Sequence, residues 1–324
     1  MHSFDWLQEK LNRIFASVKI DSQPKELYSP IDYTLSLGGK RIRPLLVLTG
    51  CDLYGGDPDN VINIAIGIEL FHNFTLLHDD IMDQAPIRRG KATVYKKWNT
   101  NVAILSGDTM FALATGYISQ TKETVLAEVL KVFTLTAKQV CEGQQYDMNF
   151  ETQENVSIPE YISMIRLKTA VLIACSLRLG AIVAGAPAKE KNMISEFGEN
   201  LGLAFQLQDD LLDTFGEENK FGKEIGGDII SKKKTFLHVK AMELANGRQK
   251  EELNRYLSSP TIPPDEKIRK VKDLYRILNI EEIAKAAIRD YFDKALQILG
   301  ELDIEDHDKT EVREFANRLL IREY

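Results

Sequence analysis

Three carboxylates crowd five positions in Phe74-Thr-Leu-Leu-His-Asp79-Asp80-Ile-Met-Asp83, and Arg88-Arg89-Gly90 follows five positions later. Helical residues turn by ~100° each, so Asp79 and Asp83 share a face while Asp80 turns to one side. Like charges at that spacing repel unless a cation lies between them. Carboxylate-only sets suit hard ions such as Mg²⁺, which keep phosphate oxygens in their shell. The two guanidinium forks downstream have the geometry to grip that same phosphate. A solvated acidic helix end before a basic loop would read the same way, so one cluster decides nothing. The pattern returns 130 residues on, in Phe205-Gln206-Leu-Gln-Asp209-Asp210-Leu-Leu-Asp213, again closing an apolar run. Two copies with one spacing and one setting imply facing walls of a single metal site.

The cations that would complete such a site fall in three places. Gly38-Gly39-Lys40-Arg41-Ile-Arg43-Pro44 sets three basic residues on a glycine hinge, where backbone can approach a phosphate closely. Lys168-Thr169 interrupts an apolar helical run from Ile162 to Ala174, where a long cation must snorkel or face an internal anionic cavity. Residues 214–235 form a glycine-rich charged stretch with Lys223 and the Lys232-Lys233-Lys234 run, read as a loop and a candidate lid.

The elements that must position these groups are helices. Apolar periodicity of the helical kind dominates the chain, and strand-like alternation is nearly absent. An amphipathic helix opens over residues 4–19, and others run from Ile31 to Leu37 and from about Pro44 to Leu53. Asn60 to Met82 delivers the first Asp cluster, and Lys189 to Asp213 delivers the second. Between them lie helices over Asn101 to Ser119, Val125 to Tyr146 and, from the Ser157-Ile-Pro159-Glu160 start, on to Gly185. Further helices are expected after Phe236. No linker divides the 324 residues, so one all-α domain over 1–324 is expected.

Composition narrows the function. With 44% hydrophobic and 27% charged residues the chain is of ordinary globular make-up. A formal net charge of −7 speaks against a nucleic-acid binder. Cys51, Cys141 and Cys175 are scattered without metal or disulfide spacing, which suits a cytoplasmic protein. The first residues lack a signal-peptide core, and no apolar run approaches the ~18 residues of a membrane span, so no integral membrane segment is expected.

Five motifs in order now resemble the trans-polyprenyl diphosphate synthases: Gly-Gly-Lys40-Arg-Ile-Arg43-Pro, His72, Asp79-Asp80-x-x-Asp83 with Arg88-Arg89-Gly90, Lys168-Thr169, and Gln206-x-x-Asp209-Asp210-x-x-Asp213. The resemblance implies a single-domain bundle of the isoprenoid-synthase kind around a central cavity. It implies a homodimer, with apolar surface between Asn101 and Tyr146. It implies Mg²⁺, three ions per site, held by Asp79, Asp83 and Asp209, with Asp80, Asp210 and Asp213 acting nearby. Arg88, Lys168, Thr169, Gln206, Lys223 and Lys233 would contact the allylic diphosphate, and Lys40, Arg43, His72 and Arg89 would bind isopentenyl diphosphate. Lys233 is chosen among three lysines because it lies five after Asp228; one residue more than in some members separates Lys223 from Asp228.

Product length is read from the helix carrying Asp79. At a rise of ~1.5 Å per residue, Thr75 and Phe74 lie ~6–7.5 Å deeper, with Phe71 below them. In the family, bulk there forms the floor of the tail pocket. One Phe beside a small Thr resembles synthases making the C20 geranylgeranyl chain, with C15 farnesyl as the alternative. Two rivals share features. A terpene cyclase would lack the Lys40/Arg43/Arg89 site, and a non-catalytic subunit would be expected to lose an Asp cluster. An HD phosphohydrolase, suggested by His78-Asp79, would need histidine partners that five scattered His do not supply.

Overall fold

The computed structural model describes residues 1–216 and 225–321. Its helices, in chain order, are α1 (Phe4–Ser17), α2 (Lys25–Ser36), α3 (Ile42–Asp52), α4 (Ile62–Met82), α5 (Val94–Lys97), α6 (Thr100–Ile118), α7 (Glu123–Thr152), α8 (Ile158–Ile165), α9 (Val171–Ala184) and α10 (Ala188–Phe215). After residues 217–224 come α11 (Gly227–Ile230), α12 (Phe236–Leu244), α13 (Gly247–Ser258), α14 (Pro264–Ile277), α15 (Ile280–Glu301) and α16 (Asp306–Ile321). The all-α expectation holds. The one sheet among the described residues is the hairpin β1 (Ile87–Arg88) and β2 (Lys91–Ala92), which falls in the basic loop after the first Asp cluster.

Local chemistry fixes several boundaries. Ser3 caps α1 by accepting the Trp6 amide, and Phe4, Leu7, Leu11 and Phe15 form its buried face. Ser157 and Glu160 close a capping box at α8, as the Ser-Ile-Pro-Glu start predicts. Both α4 and α9 are buried on nearly all sides and therefore belong to the centre of the bundle. By length and composition the windows Pro58–Met82 and Ile158–Ala184 would suffice to cross a membrane. They are instead 61% and 83% buried inside the protein, as core helices are.

Two apolar clusters make the core. One joins α1, α3, α4, α6, α7 and α9, and the other joins α8 with α12 to α15. The helix α10 belongs to both: Ile194, Phe197 and Leu201 pack into the first, Leu203, Leu207 and Leu211 into the second. It thereby carries the second Asp cluster to the seam between them.

Two expectations shift. The Asn101–Tyr146 region does contain two helices, but α7 runs on to Thr152, through the polar Glu142–Asp147 stretch where the sequence places its end. Gly143 is there for close approach: a Cβ at that position would collide with the Lys168 amide nitrogen of the crossing segment. The segment it meets, Arg166–Ala170, is a π-helical turn joining α8 to α9, so the single helix expected from Ser157 to Gly185 is wound wide in its middle. Such turns recur at functional sites because they push side chains out of register. Here the wide turn carries Lys168 and Thr169.

Candidate active site

A cavity of about 500 Å³ opens between α4, α7, the π turn and α10. Asp79, Asp83, Asp209, Asp210 and Asp213 all line it, together with Arg43, His72, Arg88, Lys168, Thr169, Gln206 and Lys233. Sequence reading thus brings most of its residues to one place. Lys40 and Arg89 do not line the cavity, although Arg89 of the hairpin lies against Gly39, next to Lys40 in the hinge, and Lys223 lies outside the described residues.

Within each Asp cluster the second member is drawn into the scaffold. Asp80 is buried, and its Oδ1 accepts Arg88 Nε at 2.7 Å. Burial lifts the Asp80 carboxyl to about 6 against the pull of Arg88. Using Nε in this way leaves the Nη fork of Arg88 for a ligand in the cavity. Asp210 is buried too, accepting from Tyr161 Oη and the Phe236 amide (3.2 Å) on Oδ2 and from Gln206 Nε2 (3.0 Å) on Oδ1. Burial raises Asp210 to about 6, while those three donors act the other way. The first and last members face the cavity. Burial raises Asp79, with Lys168 opposing and Asp83 adding to the rise. Asp83 caps α4 and meets Lys233 Nζ at 3.4 Å. Asp213 Oδ2 accepts the Asp228 amide at 2.9 Å, tying α10 to α11.

The donor set is all carboxylate oxygen on two walls. Among the described residues no three His, Cys, Asp or Glu side chains close on one ion. Half-shells of this kind fit Mg²⁺, which takes its remaining oxygens from water and phosphate.

Lys168 Nζ reaches Asp147 Oδ2 at 2.6 Å across the cavity. Burial pulls the Lys233 ammonium down, but Asp83, Asp147 and Asp228 outweigh it and the net shift is upward. At the other end, Arg43 Nη1 lies 3.2 Å from His72 Nε2, so the imidazole presents its lone pair to the guanidinium. Burial, then Arg43, Arg89 and Arg88, drive His72 well below its ordinary range and keep it neutral. Arg89 sits in the two-residue loop of the hairpin, where both Arg89 (φ +52°) and Gly90 (φ +72°) are left-handed, as a type I′ turn requires. Its guanidinium lies against Gly39, which has φ +138° and no Cβ to displace it. Arg41, counted with the hinge cations, stacks over the Phe15 ring at 4.5 Å and so holds the hinge to α1.

The apolar end of the cavity is lined by Phe74, Thr75, Leu172, Phe205, Met164 and Ile165. Phe71 does not line it; it is buried behind Phe74 at 5.6 Å between ring centroids, against Phe111 and Phe133.

Asp147, Gln144, Tyr161 and Asp228 are site residues that sequence reading missed. One signal for the first two existed. Gln144 and Asp147, at helical spacing from the buried Val140, put polar groups on a face that is otherwise buried.

Known proteins resemble the chain over most of its length. The family described as Polyprenyl synthetase matches residues 24–278. A short chain isoprenyl diphosphate synthase of Methanothermobacter thermautotrophicus is 37% identical over 288 residues, 87% of each chain. A geranylgeranyl diphosphate synthase of Sulfolobus acidocaldarius is 33% identical over 323 residues, 97% of each. The crystal structure of a geranylgeranyl pyrophosphate synthase superposes with a TM-score of 0.94 at 43% identity, covering 100% of both chains. Two carboxylate walls, a ring of cations and an apolar tail end are what a diphosphate-bearing hydrocarbon requires, and the chain belongs to the polyprenyl synthetase family of prenyltransferases.

Proposed function

We propose that the protein condenses isopentenyl diphosphate head-to-tail with an allylic diphosphate and that its main product is the C20 geranylgeranyl diphosphate. The observation that carries this reading is one cavity with carboxylates on two walls, cations between them and Phe74 among its apolar lining. Mg²⁺, which Asp79, Asp83 and Asp209 would hold with three ions the expected number, would supply positive charge to the departing diphosphate.

The chain's own residues do the rest. Arg88 offers its Nη fork, and Lys168 and Lys233 offer ammonium groups to the same diphosphate, so charge developing on it meets fixed cations. Heterolysis of the allylic C1–O bond leaves a delocalised cation, which the apolar lining keeps from water. Lys40, Arg43 and Arg89, with neutral His72 beside Arg43, hold isopentenyl diphosphate so that its terminal alkene carbon attacks C1. Loss of a C2 proton to the departed diphosphate restores neutrality, and no side-chain nucleophile is needed. Leu105, Leu135 and Tyr146 leave apolar surface exposed on α6 and α7, and a homodimer would cover it. A cytoplasmic setting suits three cysteines that form no disulfide.

The test is product analysis with isopentenyl diphosphate, Mg²⁺ and a C5, C10 or C15 starter. C20 product from each supports the proposal, and cyclised hydrocarbon from the allylic diphosphate alone would replace it with a terpene cyclase. Asp79→Ala and Asp209→Ala should each lower turnover by at least ~10³ in a folded protein. Near-normal turnover in either would refute the two-wall metal site.

A further inference from the structure

Resting on the reading of Lys233 as a cation for the allylic diphosphate, we propose that the next residue, Lys234, is the positioning residue that fixes it. The Lys234 ammonium clasps the carbonyl end of α7, and that clasp sets where the Lys233 ammonium stands in the cavity. The run Lys232-Lys233-Lys234 offers three cations, and the structure gives them three different settings. Lys232 is exposed and left-handed, with φ +58°. Its amide donates to Ile229 O at 3.3 Å and the Lys233 amide donates to Asp228 O at 2.9 Å, the pair of bonds that closes a helix around a left-handed residue. That turn ends α11 and begins the short link to α12. Within the link Lys233 Nζ lies 3.4 Å from Asp83 Oδ2 at the end of α4, while Lys234 Nζ donates to Gln153 O and reaches Glu154 O at 3.5 Å.

The clasp falls where a cation is wanted. Gln153 caps α7, so its carbonyl is among the last four that the helix leaves without an amide donor, and the negative end of the helix dipole favours an ammonium there. Gln153 is itself held, since its Nε2 donates to Asn155 O at 2.7 Å, so Lys234 fastens onto fixed backbone. The last turns of α7 also carry Asp147, which with Asp83 and Asp228 is one of three carboxylates whose charge acts on Lys233. At its two ends the segment is fastened to α10: the Gly226 and Asp228 amides donate to Asp213 O and Oδ2, at 2.6 and 2.9 Å, and the Phe236 amide donates to Asp210 Oδ2 at 3.2 Å. Between those ends the two adjacent lysines reach different helices, Lys233 to α4 and Lys234 to the end of α7. A lysine ammonium stands on a flexible four-carbon stem, so its place depends on how firmly its backbone is held. A cation fixed before the diphosphate departs costs no reorganisation when charge develops. Lys234 borders both the cavity and a groove on its outer side, beside Ser157 and His238, so direct contact with a diphosphate is the rival role.

A double-mutant cycle separates the two roles. Lys234→Met keeps the stem and removes the donor, and Lys233→Met does the same one residue earlier. The measurements are the affinity for an unreactive allylic thiolodiphosphate with Mg²⁺, and KM for the allylic substrate and for isopentenyl diphosphate. Lys233→Met comes first: if it leaves allylic binding unchanged, the reading of Lys233 fails, and the proposal falls with it before Lys234 is compared. Given an effect there, Lys234→Met should weaken the thiolodiphosphate about tenfold and leave KM for isopentenyl diphosphate unchanged. In the Lys233→Met background it should add less than about twofold, because the clasp acts on the ligand only through Lys233. Lys234→Arg, whose guanidinium can donate to the same two carbonyls, should restore most of the affinity. Should Lys234→Met fail to fold, Lys234→Gln, which keeps an N–H donor on a shorter stem, should give a smaller loss in the same ligand alone. Full losses that multiply in the double variant would make Lys234 a direct diphosphate contact and overturn the proposal. Unchanged allylic binding in Lys234→Met, or equal losses for both substrates, would overturn it as well.

Discussion

Replacing Phe74 with alanine tests the depth of the cavity most directly. Phe74 lines the cavity, and behind it stand Phe71 at 5.6 Å and Phe111 at 5.4 Å between ring centroids. Removing the Phe74 ring therefore opens about one ring spacing before the next aromatics block the way. An added isoprene unit contributes four chain carbons, roughly 5 Å when extended at ordinary carbon–carbon spacing. The expectation is a product one C5 unit longer, C25 in place of C20, and no further. Because Phe74 is only half-buried and faces a cavity, the stability cost should be about 1–3 kcal/mol, below that of a fully buried Phe. Prenyl alcohols released by phosphatase and separated by chain length give the distribution, and a thermal melt gives the cost. Unchanged products would remove Phe74 as the floor. A spread to C35 and beyond would show that Phe71 and Phe111 do not form a second barrier.

Two other perturbations address the cations and the core. Gly39→Ala places a Cβ 2.7 Å from Arg89 Nη2 and 2.8 Å from its Cζ, so the guanidinium must leave its seat. Losing one charge-assisted contact should raise KM for isopentenyl diphosphate about 10- to 100-fold and leave KM for the allylic substrate unchanged; equal effects on both would refute two separate diphosphate sites. His238 is pushed down to about 4 by burial and by Lys234. The unfolded chain takes up that proton near pH 6.5 and the folded one near pH 4, so this stability is present above pH 6.5 and lost as pH falls toward 4. Wild type should lose roughly 3 kcal/mol relative to His238→Gln across that window; denaturant titrations of both proteins at pH 7 and pH 4 measure it, and a pH-independent difference would refute it.

What the sequence made legible was chemistry at short range. Asp79 and Asp83, or Asp209 and Asp213, announce themselves because four residues on a helix return to one face. Lys168 is conspicuous because an ammonium interrupts an apolar run. Illegible were the partners that only tertiary packing supplies. Asp147 lay just past a helix expected to end at Tyr146 in the polar Glu142–Asp147 stretch, and only tertiary packing shows that stretch facing the π turn, with Gly143 at the close crossing. Tyr161 was not singled out, because nothing local says that its hydroxyl meets Asp210. Arg88 and Asp80 were each singled out, but their pairing was not, because a hairpin must fold the chain back to bring them together.

That pairing changes the meaning of the motif. In both clusters the middle carboxylate is buried, and in both the scaffold consumes it: Asp80 through Arg88, Asp210 through Tyr161, Gln206 and Phe236. Three facing carboxylates would repel strongly in a half-buried cleft, and withdrawing one of each triplet lessens that cost before any cation arrives. The withdrawn group does not idle. Asp80 fixes the Arg88 guanidinium through its Nε, and Asp210 fixes Gln206, which in turn meets Thr169. Each Asp-Asp-x-x-Asp therefore has two outer groups that line the cavity and one inner group held by a neighbouring side chain. On that division, the spacing of the outer pair is set by the helix, and the identity of the inner residue is set by what packs behind it.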